Sequence, residues 1–312
     1  LLPPPPPRNR VGGFLGAPGG PRGGGGKGAG PGAPAPVQRG GALGETGKPV
    51  SQNKDVFMKQ AILDVSFGTA VPRARDDIEA VETELRALRP QLPFYRAFTS
   101  PRIRRILADR GETILSLEDA LEQMQQDGIT DAVVQPTHIL YGYEYDKIRK
   151  TVEKFRCQFA RIRLGAPLFS CTADILETAA ILDGCYPAED RKRFVFMGHG
   201  TGHFADLVYP ALETALHRRG RKDCFLTTVE GWPDFESVCR FLKDVPVTLV
   251  PLMLVAGDHA LHDMAGDDPD SLKSMLESEG CRVSCVRRGL GSVPEIRRMY
   301  ARHLKVLLDA EK

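Results

Sequence analysis

The chain has 312 residues, of which 42% are apolar, and a formal net charge of +2 at pH 7. This length is sufficient for one large or two medium-sized hydrophobic cores. The small net charge argues against nucleic acid or an anionic membrane as a partner, and no apolar run approaches the roughly 18 residues that a membrane span needs.

The first 57 residues differ in composition from the rest of the chain. They include the proline run Pro3–Pro7 and the glycine run Gly23–Gly26, and such sequence buries too little apolar surface to offset its chain entropy. They also lack the basic start and continuous apolar segment of a secretory signal. We predict a disordered leader over residues 1–57 without catalytic residues, and a native start at Met58, the first methionine.

From Met58 onward, short apolar runs alternate with segments of helical periodicity. The apolar runs predict strands at Ala61–Phe67, Phe94–Phe98, Asp131–Pro136, Arg161–Leu164, Phe194–Met197, Cys224–Val229, Val247–Leu254 and Cys281–Val286. The periodic segments predict helices at Arg75–Leu88, Leu117–Gln126, Glu144–Phe159, His203–His217, Leu272–Ser278 and Ser292–Leu308. Helix caps are predicted at Ser116 with Asp119 and at Ser292 with Glu295. This alternation predicts an α/β fold with doubly wound parallel sheets.

An internal repeat indicates that the fold is duplicated. Gly142 and Glu144 lie six and eight positions after Pro136, and Gly257 and His259 lie six and eight positions after Pro251. The segments 63–69 and 196–201 also resemble each other. We predict two similar domains, over residues 58–188 and 189–312, with a cleft between them and the C-terminal helix folded back over the first. In such sheets, ligands bind outside the carboxyl ends of the strands.

Three polar side chains follow predicted strands of the second half and are candidate metal ligands. His199 follows the strand at 194–197, Glu230 follows the strand at 224–229, and His259 follows the strand at 247–254. Two imidazoles and a carboxylate suit divalent cobalt, iron, nickel or zinc. Each residue also has a simpler interpretation. His199 could be a hydrogen-bonded structural residue, Glu230 could cap a helix at Pro233–Phe241, and His259 could be a solvated loop residue.

Two further histidines are candidates for supporting roles. His138 follows the strand at 131–136 and occupies the matching cleft position in the first half. His203 is predicted near the start of a helix, as a hydrogen-bonding partner of His199.

Several segments resemble the anaerobic cobalt chelatase family, sirohydrochlorin cobaltochelatase. They are Val65–Thr69, Arg96–Ser100, Met197–Gly200 and Pro251–His259, the last continuing to Asp263-Met264-Ala265. The resemblance runs from about Met58 to the C-terminus. It implies two similar α/β domains around a tetrapyrrole cleft and an enzyme that inserts Co²⁺ into sirohydrochlorin or precorrin-2 in anaerobic cobalamin biosynthesis.

The resemblance also implies which residues act. It places metal binding and catalysis on His199, Glu230 and His259. The tetrapyrrole is expected to be bound by Ser66, Phe67, Gly68, Thr69, His138, Gly198 and Gly200. Neither ATP nor an organic cofactor is expected, and Fe²⁺ and Ni²⁺ are expected to substitute for Co²⁺ in vitro. Arg73, Arg75, Arg102 and Arg104 are candidate partners for the carboxylates of the substrate, or else belong to solvated helix faces.

Other functions remain open at this point. Insertion of Fe²⁺ for sirohaem would use the same ligands, and a carrier would hold the tetrapyrrole or the metal without turnover. A hydrolytic metalloenzyme is disfavoured because clustered carboxylates are few. The seven cysteines include no Cys-x-x-Cys pair, which predicts reduced thiols in a cytoplasmic protein. A homo-oligomer is compatible with the sequence.

Overall fold

The structure is a computed structural model that describes residues 58–310. The predicted leader, residues 1–57, lies outside the described residues. Within them are eight strands: β1 (Gln60–Ser66), β2 (Phe94–Phe98), β3 (Asp131–Pro136), β4 (Arg161–Leu164), β5 (Arg193–Gly198), β6 (Cys224–Thr228), β7 (Pro246–Pro251) and β8 (Arg282–Cys285). No helix in this part of the chain combines the length and apolarity needed to cross a membrane.

The strands form two four-stranded parallel sheets with the same topology. The first has the order β2-β1-β3-β4 and the second β6-β5-β7-β8. Equivalent strands therefore occupy equivalent places, β1 corresponding to β5 and β3 to β7. The α/β class with two parallel sheets is confirmed, and the matching strand order agrees with the duplication that the repeat predicted.

Helices cover both faces of the sheets. The helices in residues 58–310 are α1 (Pro72–Ala87), α2 (Pro101–Asp109), α3 (Leu117–Gln126), α4 (Tyr143–Phe155), α5 (Thr172–Cys185), α6 (Val208–Arg218), α7 (Phe235–Cys239), α8 (Leu272–Ser278) and α9 (Pro294–Asp309). The predicted cap of α3 is confirmed, because Ser116 and Asp119 form a reciprocal capping box. The predicted cap of α9 is wrong. Val293 precedes that helix, and the Ser292 hydroxyl donates instead to the Gly289 carbonyl.

The last helix joins the two halves of the chain. Tyr300 of α9 is fully buried, and its hydroxyl donates to the backbone carbonyls of Thr137 at 3.0 Å and of His138 at 3.3 Å. The largest hydrophobic cluster contains residues of both sheets, such as Ile62 and Phe196, together with α9. Folding of the C-terminal helix over the first half is thus observed. The domain boundary at residues 188 and 189 separates the two sheets but is crossed by this cluster, and the two-domain division stays a prediction.

A carboxyl group is buried in the first sheet without a hydrogen-bond partner. Asp64 of β1 is fully buried, and neither of its carboxyl oxygens has a partner. Burial and the nearby Glu82 carboxylate raise the pKa of Asp64 well above its usual range, although Arg96 opposes the shift. The Asp64 carboxyl group is therefore favoured in its neutral, protonated form, because burial disfavours an ionised carboxylate.

We expect Asp64→Asn to remove a pH dependence of stability. The unfolded chain loses the Asp64 proton near pH 4, whereas the folded protein keeps it to higher pH. The stabilisation from protonated Asp64 is therefore complete below about pH 4 and is lost as pH rises through the folded-state pKa. The variant should become more stable than the parent by up to about 1.4 kcal/mol per pH unit. Urea unfolding at pH 5, 6, 7 and 8 measures this, with the exposed Asp190→Asn as control. Parallel profiles for parent and Asp64→Asn would show that Asp64 is ionised.

Candidate active site

A cavity of about 550 Å³ lies at the carboxyl ends of the two sheets. Its walls are mostly apolar and come from the segments that follow β1, β2, β3, β5, β6 and β7. Both halves of the chain contribute, with Phe67 and His138 from the first and His199 and His259 from the second. The volume is typical of small-molecule sites, which are about 300–1,000 Å³. The position agrees with the cleft that strand topology predicted.

His199 is held at the end of β5 by its neighbours in the chain. Its Nδ1 lies 3.0 Å from the Gly200 carbonyl oxygen. Because a carbonyl only accepts, the neutral tautomer that fits this contact has its proton on Nδ1 and its lone pair on Nε2. Gly200 has a φ of +79°, in the left-handed region. The Gly200 N–H donates to the hydroxyl of buried Tyr209 at 3.3 Å. The imidazole is therefore fixed on its backbone side and available on the other.

Glu230 is brought beside His199 by backbone hydrogen bonds. The N–H groups of Val229 and Glu230 donate to the carbonyls of Gly198 and His199, which extends the pairing of β6 with β5. As a result, a Glu230 carboxylate oxygen lies 3.9 Å from His199 Nδ1, and 62% of its side chain is exposed. Asp234, not Glu230, caps the following helix. The interpretation of Glu230 as a helix cap is therefore wrong.

His259 faces His199 across the cavity mouth. The two ring centroids are 4.6 Å apart and the planes are nearly perpendicular, at 88°. His259 directly precedes a single π-helical turn, Ala260–Met264, a form of turn that is frequent at functional sites. Its Nδ1 lies 2.7 Å from an oxygen of Asp263. The structure thus brings together the three residues that were predicted to meet at strand ends.

These three side chains do not form a preassembled metal cage. Within residues 58–310, no group of three or more His, Cys, Asp or Glu side chains is arranged to hold a metal ion. The imidazole pair is accessible, with 41% of the His199 side chain and 36% of the His259 side chain exposed. An open, incomplete ligand set suits an ion that must pass on to a second ligand, and the ligand roles stay a prediction.

Five of the seven predicted tetrapyrrole-binding residues line the cavity, and two do not. The lining residues are Phe67, Gly68, Thr69, His138 and Gly200. Ser66 is fully buried on the same face of β1 as Asp64, beneath the covering helices, so its side chain does not line the cavity. Gly198 also lies outside the lining, because it packs against Tyr209, whose ring would be 2.2 Å from an added Cβ.

His138 is a neutral group in the cavity wall. Neither ring nitrogen is exposed or has a hydrogen-bond partner. Burial lowers the pKa of His138 to about 4, although the Glu144 carboxylate opposes the shift. Near neutral pH its imidazole is therefore uncharged. A neutral wall at this position is compatible with the face of an aromatic macrocycle.

His203 does not contact His199. Its Nδ1 accepts a hydrogen bond from the Ala205 N–H at 3.0 Å, and its ring packs edge-on against Tyr143, with centroids 5.2 Å apart. The side chain is thus occupied in starting the short 3₁₀ turn at Phe204–Leu207. The prediction that His203 is a hydrogen-bonding partner of His199 is therefore wrong.

The four candidate arginines have different surroundings. Arg102 is the only lysine or arginine among the described residues that line the cavity. It is 75% exposed and lies 4.0 Å from Asp258. Arg75 pairs with Glu112, while Arg73 is exposed and Arg104 contributes to a shallow depression elsewhere. Arg102 alone can therefore meet a ligand in the cavity.

Glu144 also lines the cavity and was not among the predicted site residues. It lies in the first turn of α4 and forms an ion pair with Lys147. The internal repeat was the signal that could have identified it, because Glu144 in the first half matches His259 in the second. The repeat therefore places acidic and imidazole groups at equivalent positions around one cavity.

Comparison with known proteins gives a family match across the described residues. A family model with the description "Cobalt chelatase (CbiK)" matches residues 60–309. A sirohydrochlorin cobaltochelatase of Salmonella typhimurium is 38% identical over 258 residues, covering 81% of this chain and 97% of the relative. The sirohydrochlorin cobaltochelatase CbiKC of Nitratidesulfovibrio vulgaris is 34% identical over 259 residues, covering 81% and 92% of the two chains.

A solved structure extends the likeness to the fold. SirB from Bacillus subtilis with Fe³⁺ superimposes with a TM-score of 0.56, covering 80% of this chain and 95% of that one. Its sequence identity to this chain is 16%, so the match shows a common architecture alone.

Proposed function

The chain belongs to the cobalt chelatase (CbiK) family, and on that premise we propose that it is a sirohydrochlorin cobaltochelatase of cobalamin biosynthesis. The observation that carries the proposal is the pair of accessible imidazoles, His199 and His259, at the mouth of a mostly apolar cavity. The apolar walls suit the faces of a macrocycle, and the imidazoles suit the metal.

The reaction requires a group that binds a metal and accepts protons. Co²⁺ must lose water ligands, and two pyrrole N–H protons must leave the macrocycle as the ion enters. A neutral imidazole can ligate through its lone pair and can also take up a proton near neutral pH. We assign metal binding and proton uptake to His199 and His259, since they face each other at 4.6 Å.

Glu230 is assigned a role in metal delivery and charge balance. Its carboxylate lies beside His199 and is largely exposed, so it can meet an incoming cation before the ion reaches the cavity. Its negative charge would also partly balance the charge of a divalent ion bound beside it.

The remaining parts of the proposal concern cofactors and partners. The reaction proceeds without ATP or an organic cofactor, and Fe²⁺ and Ni²⁺ substitute for Co²⁺ in vitro, as their affinity for imidazole ligands suggests. The protein acts in the cytoplasm on a tetrapyrrole and needs neither nucleic acid nor a membrane. The cofactor statement rests on the nature of the site, and the statement on nucleic acid and membranes rests on the small net charge. The location rests on the cysteines, which include no Cys-x-x-Cys pair.

Anaerobic metal insertion tests the function directly. Purified protein is mixed with sirohydrochlorin and limiting Co²⁺, and the metallated product is followed by absorbance beside a protein-free control. We expect a large acceleration with Co²⁺, and a parallel series with Fe²⁺ tests the sirohaem alternative. Tight binding of sirohydrochlorin without acceleration by either metal would support a carrier and refute the chelatase.

We expect Arg102→Ala to raise the KM for sirohydrochlorin about tenfold, which corresponds to about 1.4 kcal/mol. The substrate carries several carboxylates, and Arg102 is a cationic residue that lines the cavity. Because this contact forms with substrate and transition state alike, kcat and the KM for Co²⁺ should not change. Arg105→Ala, an exposed arginine of the same helix outside the cavity lining, is the control. An unchanged KM for sirohydrochlorin in Arg102→Ala would show that Arg102 does not bind a substrate carboxylate.

A further inference from the structure

Asp263 is hydrogen-bonded to His259 but is not one of the three predicted metal ligands. One oxygen of its carboxylate lies 2.7 Å from His259 Nδ1, and 41% of the Asp263 side chain is exposed. An exposed carboxylate gains little stability from one hydrogen bond. The contact therefore calls for an explanation other than holding the fold together.

The π-helical turn holds the two side chains at a fixed separation. Ala260 and Met264 directly follow His259 and Asp263, and they are 3% and 0% exposed. Both pack in the hydrophobic cluster on the outer face of the second sheet. Because His259 and Asp263 each precede one of these anchors, they project from the same side of the turn. The geometry of the pair is set by the buried residues below it.

The chemistry of the contact determines the position of one proton. An ionised carboxylate only accepts hydrogen bonds, so a neutral His259 bonded to Asp263 has its proton on Nδ1. Its lone pair is then on Nε2, at the end of the ring that Asp263 does not cover. A neutral imidazole without such an acceptor can instead place its proton on Nε2, and that tautomer cannot ligate a metal there.

We propose that Asp263 is a positioning residue that keeps His259 in the Nδ1–H tautomer, with the Nε2 lone pair presented to the incoming cobalt ion. This inference rests on the proposed function. Histidines that bind metals commonly donate their other N–H to a carboxylate, and loss of that partner typically lowers metal affinity about 10–100-fold. The role concerns the ligand's orientation and is separate from contact with metal or substrate.

His199 has a corresponding arrangement, which strengthens the inference. Its Nδ1 faces the Gly200 carbonyl at 3.0 Å, and so its Nε2 is also left with the lone pair. The two imidazoles are thus prepared in the same tautomer, one by backbone and one by a side chain. Only the contact of His259 with the Asp263 side chain can be removed by substituting the partner, because the partner of His199 is a backbone carbonyl.

Another aspartate near His259 has different partners. Asp258 lies 3.5 Å from His262 and 4.0 Å from Arg102. The Asp258 carboxylate is therefore paired with exposed side chains and not with the His259 ring. Among the ion pairs and hydrogen bonds of the described residues, His259 is paired with Asp263 alone.

The test reads the tautomer directly. Metal-free protein labelled with ¹⁵N-histidine is examined by long-range ¹H–¹⁵N spectra, and the His259 signals are identified by their loss in His259→Gln. We expect the Nδ1–H pattern in the parent protein and in Asp263→Asn, whose amide oxygen still accepts. We expect the Nε2–H pattern to become populated in Asp263→Ala. Asp267→Ala, an exposed aspartate of the next loop that pairs with Lys273, is the control.

Anaerobic titration with Co²⁺ alone gives the second readout. The affinity should fall about 10–100-fold in Asp263→Ala, and much less in Asp263→Asn. An Nε2–H tautomer in the parent protein, or unchanged tautomer and affinity in Asp263→Ala, would overturn the inference. Neither measurement requires turnover. Failure of the chelatase assay with an intact tautomer effect would therefore refute the proposed function and leave the His259–Asp263 relation standing.

Discussion

Replacing either His199 or His259 with alanine is expected to lower kcat/KM for cobalt insertion by about 10²–10⁴-fold, the usual contribution of a positioned acid–base group. Each variant removes one of two imidazoles that face each other with ring centroids 4.6 Å apart. The loss should exceed that of Glu230→Ala, since the carboxylate lies beside the pair at 3.9 Å and is mostly in solvent.

The double variant separates two ways in which the pair can act. If both imidazoles serve one step, removing the second should cost little after the first is gone, because residues that act as a unit are strongly non-additive. If each histidine takes up a different pyrrole proton, the two losses should multiply. Initial rates with saturating sirohydrochlorin and varied Co²⁺ provide the comparison.

His262→Ala is the matched control for both variants. His262 lies on the same π-helical turn, is 68% exposed, and pairs with Asp258 rather than with the imidazole pair. Its removal should leave cobalt insertion within about twofold of the parent, since contacts of exposed ion pairs are weak. Near-normal kcat/KM in both His199→Ala and His259→Ala would refute the assigned site.

The sequence was most informative where burial and side-chain type agree. The predicted bounds are exact for β2, β3, β4, α3 and α8, because their apolar or capped segments begin and end abruptly in the chain. β7 is shorter than predicted. It ends at Pro251, and the apolar residues Leu252–Leu254 line the cavity instead. An apolar run alone does not distinguish a strand from the wall of an apolar site.

Helix α5 shows a second limit of the sequence pattern. It was not among the predicted helices, and in the structure it contacts both α6 and α9. Two of its four buried residues, Asp174 and Thr178, are polar, whereas Leu176 is exposed. The helix therefore lacks the single apolar stripe that identifies a helix in sequence. Its contacts come from segments far along the chain, which no local pattern contains.

The candidate site was predictable to the level of strand ends but not of side-chain direction. Convergence of His199, Glu230 and His259 followed from parallel topology. The pairing of His259 with Asp263 could not be predicted in the same way. It depends on the π-helical turn at Ala260–Met264, and no helical turn was predicted there. Ser66 was placed in the cleft, yet successive side chains on a strand alternate between faces. Its face was fixed only by the packing of the covering helices.

Gly200→Ala is expected to damage both stability and activity, through the backbone rather than through a lost side chain. Gly200 has a φ of +79°, and an added Cβ would lie 2.4 Å from the Gly231 nitrogen. The left-handed conformation alone should cost about 1–3 kcal/mol. The steric contact must in addition move the segment that pairs Glu230 with His199, and a shift of about 1 Å in a positioned group can cost 10²-fold in rate.

Gly220→Ala separates these two effects. Gly220 has a φ of +89°, but an added Cβ there would meet no atom within 4 Å. It should share the conformational cost, measured by urea unfolding, while kcat/KM for cobalt insertion stays near that of the parent protein. Gly200→Ala should lose more stability than this control and at least 10²-fold in kcat/KM. If the two variants instead lose the same stability and activity, the Gly231 backbone moves away from the added Cβ without a loss of free energy. Contact between Gly200 and Gly231 would then not be what positions Glu230 beside His199.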